Sequence, residues 1–343
     1  MKILKPILFL LSPLAFFLLE GCEVEFSPNA EWKNVPVVYC LLDQDDDTTW
    51  VRVERCYLGE GSIYSYSSIR DSVIYPQGSI SVALLAYQNG TLKDSLPFIY
   101  TTRDRDSGSF ASDNMPLYYC YTKNRLNQDY SYVLNVRKAD GTLLVTTNPI
   151  SLIKWKATAD RTSPITKPTY NTYLHYGEFS FNGTGSAKNT CEIEWDTLSN
   201  ARRYQPMVRF YYRVGSDTTY VDLMCPSTVS TVSSSRLSVL YPRETFLDDL
   251  KNKLKDDPGY KVNLNKVDVY LLCCTEEMNA YMSSVSHLAY SISSREVYNN
   301  IKGGVGIFAA RRRHIYKSLP FEYNIDAPEG ITYKIEHLGI NMH

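Results

Sequence analysis

Val35-Pro36-Val37-Val38-Tyr39-Cys40-Leu41-Leu42 is an apolar run that breaks at Asp43-Gln44-Asp45-Asp46-Asp47, and Trp50-Val51-Arg52-Val53-Glu54-Arg55-Cys56-Tyr57 then alternates. Alternation with a period of two is the mark of a half-buried strand, so Arg52, Glu54 and Cys56 share one face. Two strands joined at an acidic turn read as a hairpin. Outward from it the same grammar repeats. Ser79 to Tyr87, the Asn89-Gly90 turn and Thr91 onward form a second hairpin, because Asn-Gly supplies the left-handed backbone of a tight turn. Leu117–Tyr121, Tyr130–Val136, an Asp140-Gly141 turn and Thr142–Thr147 follow. About seven strands in about 120 residues predict a sandwich.

After Ala157–Lys167, a Thr-, Ser- and Pro-rich linker, the strand pattern resumes. Cys191–Trp195 alternates, and Tyr204–Val214 turns at Gly215-Ser216-Asp217 into Thr219–Leu223. Two helices interrupt. Pro242–Lys255 carries Phe246, Leu247, Leu250 and Leu254 on one face. Beyond the strand Val267–Cys273, Thr275 is placed to cap a helix with Glu276 and Glu277 in its first turn. Met278, Tyr281, Met282 and Val285 would be its inner stripe. Val305–Ala309 and Ile331–Leu338 close the chain as strands. The reading is mainly β: an immunoglobulin-like β-sandwich domain over 31–155, then a β-rich, sandwich-like domain over 156–343 with helices near 242–255 and 276–287. Trp195, Asn200-Ala201 and Tyr204 resemble a fibronectin-type sandwich.

A formal charge of −1 and the lack of a polybasic tract give no sign of nucleic-acid binding. Tyrosine is the outlier, 28 against 12 Phe and 4 Trp. Its ring packs while its hydroxyl stays wet, which predicts Tyr at sheet borders, with a Tyr-lined ligand face as the alternative. No CxxC occurs among the cysteines, so zinc is not expected. Cys40 and Cys56 would face each other if their strands pair in register, and buried free thiols are the other reading.

The amino terminus carries a different message. Met1-Lys2-Ile3-Leu4-Lys5 is basic, an apolar run follows from Pro6 to Leu19, and Glu20-Gly21-Cys22 ends it. A basic start, a short apolar run and a small residue at the cut make a secretory signal. Cysteine directly after that small residue resembles a bacterial lipobox. The resemblance implies a signal peptide over 1–21, diacylation of Cys22 and a tether over 22–30. Two or more acyl chains anchor stably. Glu23 and Glu25 resemble the signal that sends Bacteroidetes-type lipoproteins to the cell surface.

Val267-Asp268-Val269-Tyr270-Leu271, the helix with Tyr281, and Val297-Tyr298-Asn299-Asn300-Ile301-Lys302-Gly303-Gly304-Val305-Gly306-Ile307-Phe308 resemble a family of uncharacterised Bacteroidetes-type outer-membrane lipoproteins. That family is a domain of unknown function often encoded beside TonB-dependent receptors. It implies a two-part, sheet-rich lipoprotein and supplies no catalytic residues. In that setting Gly303, Gly304 and Gly306 are turn and close-packing glycines. Asp-(Ser/Thr)-X triplets at Thr48, Ser72, Ser95, Thr197 and Thr218 resemble the O-glycosylation sites of the same bacteria.

Little else points to chemistry. Asp43, Asp45 and Asp47 alternate as in a calcium loop, but Thr48 stands where the turn needs Gly and a strand follows. A solvated acidic turn is expected, with no metal and no cofactor. Five scattered histidines include no HExxH, and no Ser sits in a GxSxG elbow. Arg311-Arg312-Arg313 reads as a solvated strand end or turn. The expectation is a non-enzymatic lipoprotein, lipid-anchored through Cys22 in the outer membrane and displayed at the cell surface. Its partner would be an outer-membrane β-barrel, a TonB-dependent transporter or assembly machine. The alternatives are a carbohydrate-binding surface lipoprotein, with Tyr and Trp50 on sugar rings, and a surface hydrolase of glycans or peptides.

Overall fold

A computed structural model describes residues 35–56, 68–106, 113–155, 164–167, 179, 181, 189–231, 235–255, 260–288 and 297–319. The signal segment 1–21, Cys22 and the tether to residue 30, most of the linker and the strand expected at 331–338 lie outside them. Among the described residues the chain is mainly β, in three sheets with few helices.

The largest sheet has nine strands. From its first edge run β13 (Asp217–Met224), β12 (Arg203–Val214), β16 (Tyr260–Cys274) and β18 (Val305–Leu319). The row continues through β1 (Val35–Asp43), β2 (Thr48–Cys56), β6 (Met115–Tyr121) and β5 (Ile99–Arg103), and β14 (Thr228–Val229) adds to β12. A six-stranded sheet is ordered β17 (Ile301–Lys302), β8 (Leu143–Thr147), β7 (Ser131–Lys138), β3 (Ile80–Gln88) and β4 (Thr91–Pro97), with β9 (Ile150–Ser151) on β7. Three more strands, β10 (Ile165–Lys167), β11 (Thr190–Asp196) and β15 (Arg236–Pro242), make the third sheet. The helices are α1 (Arg70–Val73), α2 (Arg243–Leu254) and α3 (Glu276–Leu288). The β3–β4 turn is built as its sequence demands, with Asn89 at φ 50° and Gly90 at φ 77°.

Alternation sorts the side chains into two cores. Val38, Cys40 and Leu42 of β1, with Val51 and Val53 of β2, meet Val82 and Leu84 of β3 and Leu134 and Val136 of β7. The other half of the large sheet gives Val208, Phe210, Val269 and Leu271 to a second core with Ile193, Trp195 and Tyr241. There α2 fills the space with Phe246, Leu247, Leu250 and Leu254, the four residues its spacing picks out. Trp195 and Tyr204 stack 5.7 Å apart across this sandwich. Tyr132, Tyr204 and Tyr241 are fully buried rather than at borders. Each finds a partner for its hydroxyl, as a buried phenol requires: Asn127, Leu198 and Asp249.

The two sandwiches share the large sheet. The division at residue 155 assigns 301–310 to the second part, whereas Ile301, Phe308 and Ala310 pack in the first core. The cause is the parallel pairing of β1 with β18, register Val37 with Val305 through Asp43 with Arg311. Leu152 lies in the first core and its neighbour Ile153 in the second. This crossing segment is held by polar groups. Gln44 donates to the Ile153 carbonyl (3.0 Å) and accepts from its N–H (2.8 Å), Asn200 donates to the Leu152 carbonyl (2.8 Å), and Arg312 donates to that of Ile153 (3.2 Å).

The hairpin register also decides the cysteines. Cys40 faces Val51 and Cys56 faces Val35, so Cys40 and Cys56 do not meet. All seven described cysteines are free thiols. Burial pushes those of Cys40, Cys225 and Cys273 far above the ordinary thiol value, which makes them inert apolar fillers. Cys273 is buried while adjacent Cys274, on the other face, is only partly so.

Gly306 has φ 129°, and a Cβ there would lie 1.9 Å from the Val38 carbonyl oxygen, its partner near the start of the β1–β18 pair. Gly306→Ala is expected to cost about 4 kcal/mol or more, since backbone cannot yield there. Gly90→Ala, with left-handed backbone but open space around it, should cost only about 1–2 kcal/mol. Urea unfolding of the two variants checks the contrast. A second expectation concerns His314, buried on β18 beside the Trp155 ring (5.3 Å), with Nε2 unbonded among the described residues. Burial, helped by the Arg312 charge, lowers its pKa to about 4. The unfolded imidazole takes its proton near pH 6.5. Between these values the unfolded state binds more protons, so stability falls as pH drops from about 6.5 to 4, by about 3 kcal/mol in total. Melting temperatures across that range should fall in the wild-type chain and fall less in His314→Asn.

Candidate functional site

The site builds up from the face of the nine-stranded sheet that points away from both cores. Because strands alternate, the residues between the core positions of β1, β2, β6, β12, β16 and β18 all land on it. On the β1–β2–β6 half these are Tyr39, Trp50, Arg52, Leu117 and Tyr119. Trp50 packs on Tyr119 at 5.4 Å, Tyr119 meets Tyr121 edge-on at 5.6 Å, and Tyr121 is 64% exposed. Arg103 lies over the Trp50 ring at 4.3 Å and Arg52 over Tyr39 at 4.5 Å, each a cation on an aromatic face.

α3 covers the middle of this face. Its expected inner stripe is corrected: Met282 and Val285 are 40% and 39% exposed, and Asn279 is buried instead. The physical reason is a polar anchor. Asn279 accepts from Arg203 Nε at 3.0 Å, and Ser283 accepts from Arg203 at 3.3 Å. Pairing that guanidinium turns the apolar stripe sideways, so Met278 and Tyr281 overhang the sheet. The Thr275 hydroxyl accepts from the Ala310 N–H at 3.4 Å and its own N–H donates to the Ala310 carbonyl at 3.0 Å. It fastens the helix start to β18. Between α3 and β1–β2 a cleft of about 420 Å³ remains, lined by Tyr39, Leu41, Trp50, Leu117, Met278 and Tyr281, with Arg52 and Ile307. Burial, with Tyr281 beside it, raises the Tyr39 phenol above its ordinary value.

The other half of the face is polar. A concavity of about 430 Å³ is bounded by Arg209, Asp222, Tyr270, Leu272, Arg311 and Arg313. Arg209 makes a two-pronged bond to Asp222 (2.7 and 2.8 Å) and sits over Tyr220 (3.7 Å) and Tyr270 (4.8 Å). The Asp222 partner raises its pKa further. It is a fixed strut rather than a free cation.

The acidic turn and the arginine run were read as two solvated features and prove to be one. Arg311 Nε donates to Asp43, the Arg313 N–H donates to Asp45, and Asp46 lies 3.9 and 3.7 Å from Arg311 and Arg313. Asp47 pairs with Lys123 at 2.8 Å. Asp43, Asp45 and Asp47 thus turn to separate donors, and no group of three potential metal-binding side chains occurs among the described residues. Arg311–Arg313 lie inside β18, not at a strand end. Sequence offered no sign of this pairing, because the two segments are 268 positions apart.

Of the glycosylation triplets, Ser95 and Thr218 are exposed on the edge strands β4 and β13, whereas Thr48, Ser72 and Thr197 are half-buried. Among the described residues no helix is long and apolar enough to cross a membrane.

No protein-family model matches the chain, and no curated protein matches it. Among solved structures, a cytokine receptor complex is similar in two crystal forms. The identities are 11% and 12% over 70% and 71% of this chain and 92% and 86% of theirs, with TM-scores of 0.19 and 0.21. The C-terminal globular domain of an oligosaccharyltransferase from Pyrococcus abyssi matches at 11% identity over 67% of this chain and 45% of that chain, TM-score 0.19. Likenesses this low carry no argument about what the chain does.

Proposed function

We propose that this chain is an outer-membrane lipoprotein, anchored through Cys22 and displayed at the cell surface, with a non-enzymatic binding or assembly role. Its partner in this reading is an outer-membrane β-barrel of the TonB-dependent transporter or assembly-machine kind. The observation that carries the binding role is the aromatic and guanidinium-rich face described above. Tyr, Trp, Met and Arg are the residues enriched where proteins meet, and here they gather on one side of one sheet. Anchoring supplies the rest. A body held at the membrane meets any barrel there at high effective concentration, so modest contacts suffice.

The edge of the same face favours a second reading, a carbohydrate-binding lipoprotein. Trp50, Tyr119 and Tyr121 follow one another across β2 and β6, ending in a mostly exposed ring, and aromatic rings of this kind stack on sugars.

Mass spectrometry of the protein from its native membrane is expected to find residues 1–21 removed and a diacylglyceryl thioether on Cys22. A free thiol there, or a retained leader, overturns the anchoring. Pull-down from the same membranes through a tag after His343 should bring a stoichiometric barrel protein, reduced about tenfold or more by the pair Arg103→Ala and Tyr121→Ala. Recovery of the lipoprotein alone overturns the barrel partner. Retardation in gels containing one polysaccharide, lost in Tyr121→Ala, would instead establish the second reading.

A further inference from the structure

The cleft under α3 has a chemistry of its own, independent of the anchor and of the barrel partner. Leu41, Leu117, Met278 and Ile307 make it aliphatic, and Tyr39, Trp50 and Tyr281 add rings. Its volume of about 420 Å³ falls in the range of small-molecule sites. The two tyrosine hydroxyls, the Trp50 N–H and Arg52 are too few to pair the many hydroxyls of a sugar, and each one left unpaired costs about 1–3 kcal/mol. The occupant must therefore be apolar over most of its surface.

One end of the cleft is different. Arg52 is the lone charged residue of its lining, and its Nε is buried without a hydrogen-bond partner among the described residues. The carboxylate nearest to that nitrogen, Glu54, stands 3.9 Å away and is engaged by Arg105 instead. Arg103, over Trp50, brings a further guanidinium to the same rim. Two cations thus share one carboxylate, with a third guanidinium nearby on Trp50. A partly exposed guanidinium at an apolar cleft, with its neighbouring acid engaged by another arginine, is a ready donor to an anionic acceptor from outside.

We infer that the cleft binds a small apolar acid, a compact aromatic or branched hydrocarbon body whose carboxylate is received by Arg52. The body lies between Trp50, Tyr281 and Met278, and the carboxylate accepts from the accessible part of the Arg52 guanidinium, whose side chain is 39% exposed. Arg52 gives orientation and selectivity for the charged form; the apolar walls give the affinity.

The test is saturation-transfer difference NMR on the full chain in maltoside micelles, with phenylpropionate, uncharged phenylpropanol and protein-free micelles as blank. Phenylpropionate should show transfer above the blank and bind about tenfold more tightly than the alcohol, the share of one charge-assisted bond. Arg52→Gln should remove that preference and leave the alcohol unchanged, while Met278→Trp, which fills the cleft, should abolish transfer to both. Where Met278→Trp melts early, Tyr281→Ala takes its place and should weaken both probes. No transfer above the blank, equal binding of acid and alcohol by the unsubstituted chain, or binding indifferent to these substitutions would overturn the inference.

Discussion

Everything in this molecule leans on the backbone ladder between β1 and β18. β1 carries core residues of the first sandwich on one face and cleft residues on the other, so its edge cannot be left open to water without losing both. Val305 to Arg311 close that edge in parallel register, and the same fifteen-residue strand then runs on to pair with β16. One strand therefore serves two cores, contributing Phe308 and Ala310 to the first and Leu319 to the second. The close approach at Gly306 is the local condition for this, since the Val38 carbonyl occupies the space a side chain would need. The Asp43–Arg311 and Asp45–Arg313 contacts follow from the same register and neutralise a turn that would otherwise repel itself.

The single large sheet explains why the outer face is broad. Two separate sandwiches would each present a small outer surface, whereas here the outer residues of the four N-terminal and the C-terminal strands lie side by side. α3 divides that surface into chemically distinct regions, an aromatic–aliphatic cleft toward β2 and an arginine–aspartate hollow toward β12. The division depends on Arg203, which holds the helix by its polar side. Arg209, locked to Asp222 and set between two tyrosine rings, keeps the second region rigid.

Local physics made much of the fold readable. Alternation from Val35 to Cys56, the Asn89-Gly90 turn and the apolar stripe of α2 are each decided within a few residues, and each is found as expected. What could not be read was long-range. The parallel β1–β18 pair, the extension of β18 through three arginines and the salt links to the acidic turn need contacts that no window of sequence contains. β15 was missed for a related reason: Arg236–Pro242 buries Val239 and Tyr241 but leaves the intervening Leu240 exposed, so its apolar residues show no clean alternation. At the site, Trp50 and the tyrosines were visible as types but not as neighbours. The stripe on α3 misled because hydrophobic spacing identifies a helix face without saying which element it meets, and Arg203 decided that instead. Alternation put Arg52 on a strand face with Glu54, but its place at the cleft gave no signal, since that depends on Met278 and Tyr281 of a distant helix.

A ribosome delivers a protein from its amino end, and the order of synthesis here runs against the order of completion. β1 emerges early, yet the strand that flanks it is among the last described segments to be made. Until then β1 offers an unpaired apolar border, the kind of surface on which chains pair wrongly with copies of themselves. Folding of the first half therefore cannot finish as a local event. A chain cut short before Val305 would leave behind two incomplete sandwiches rather than one intact and one missing.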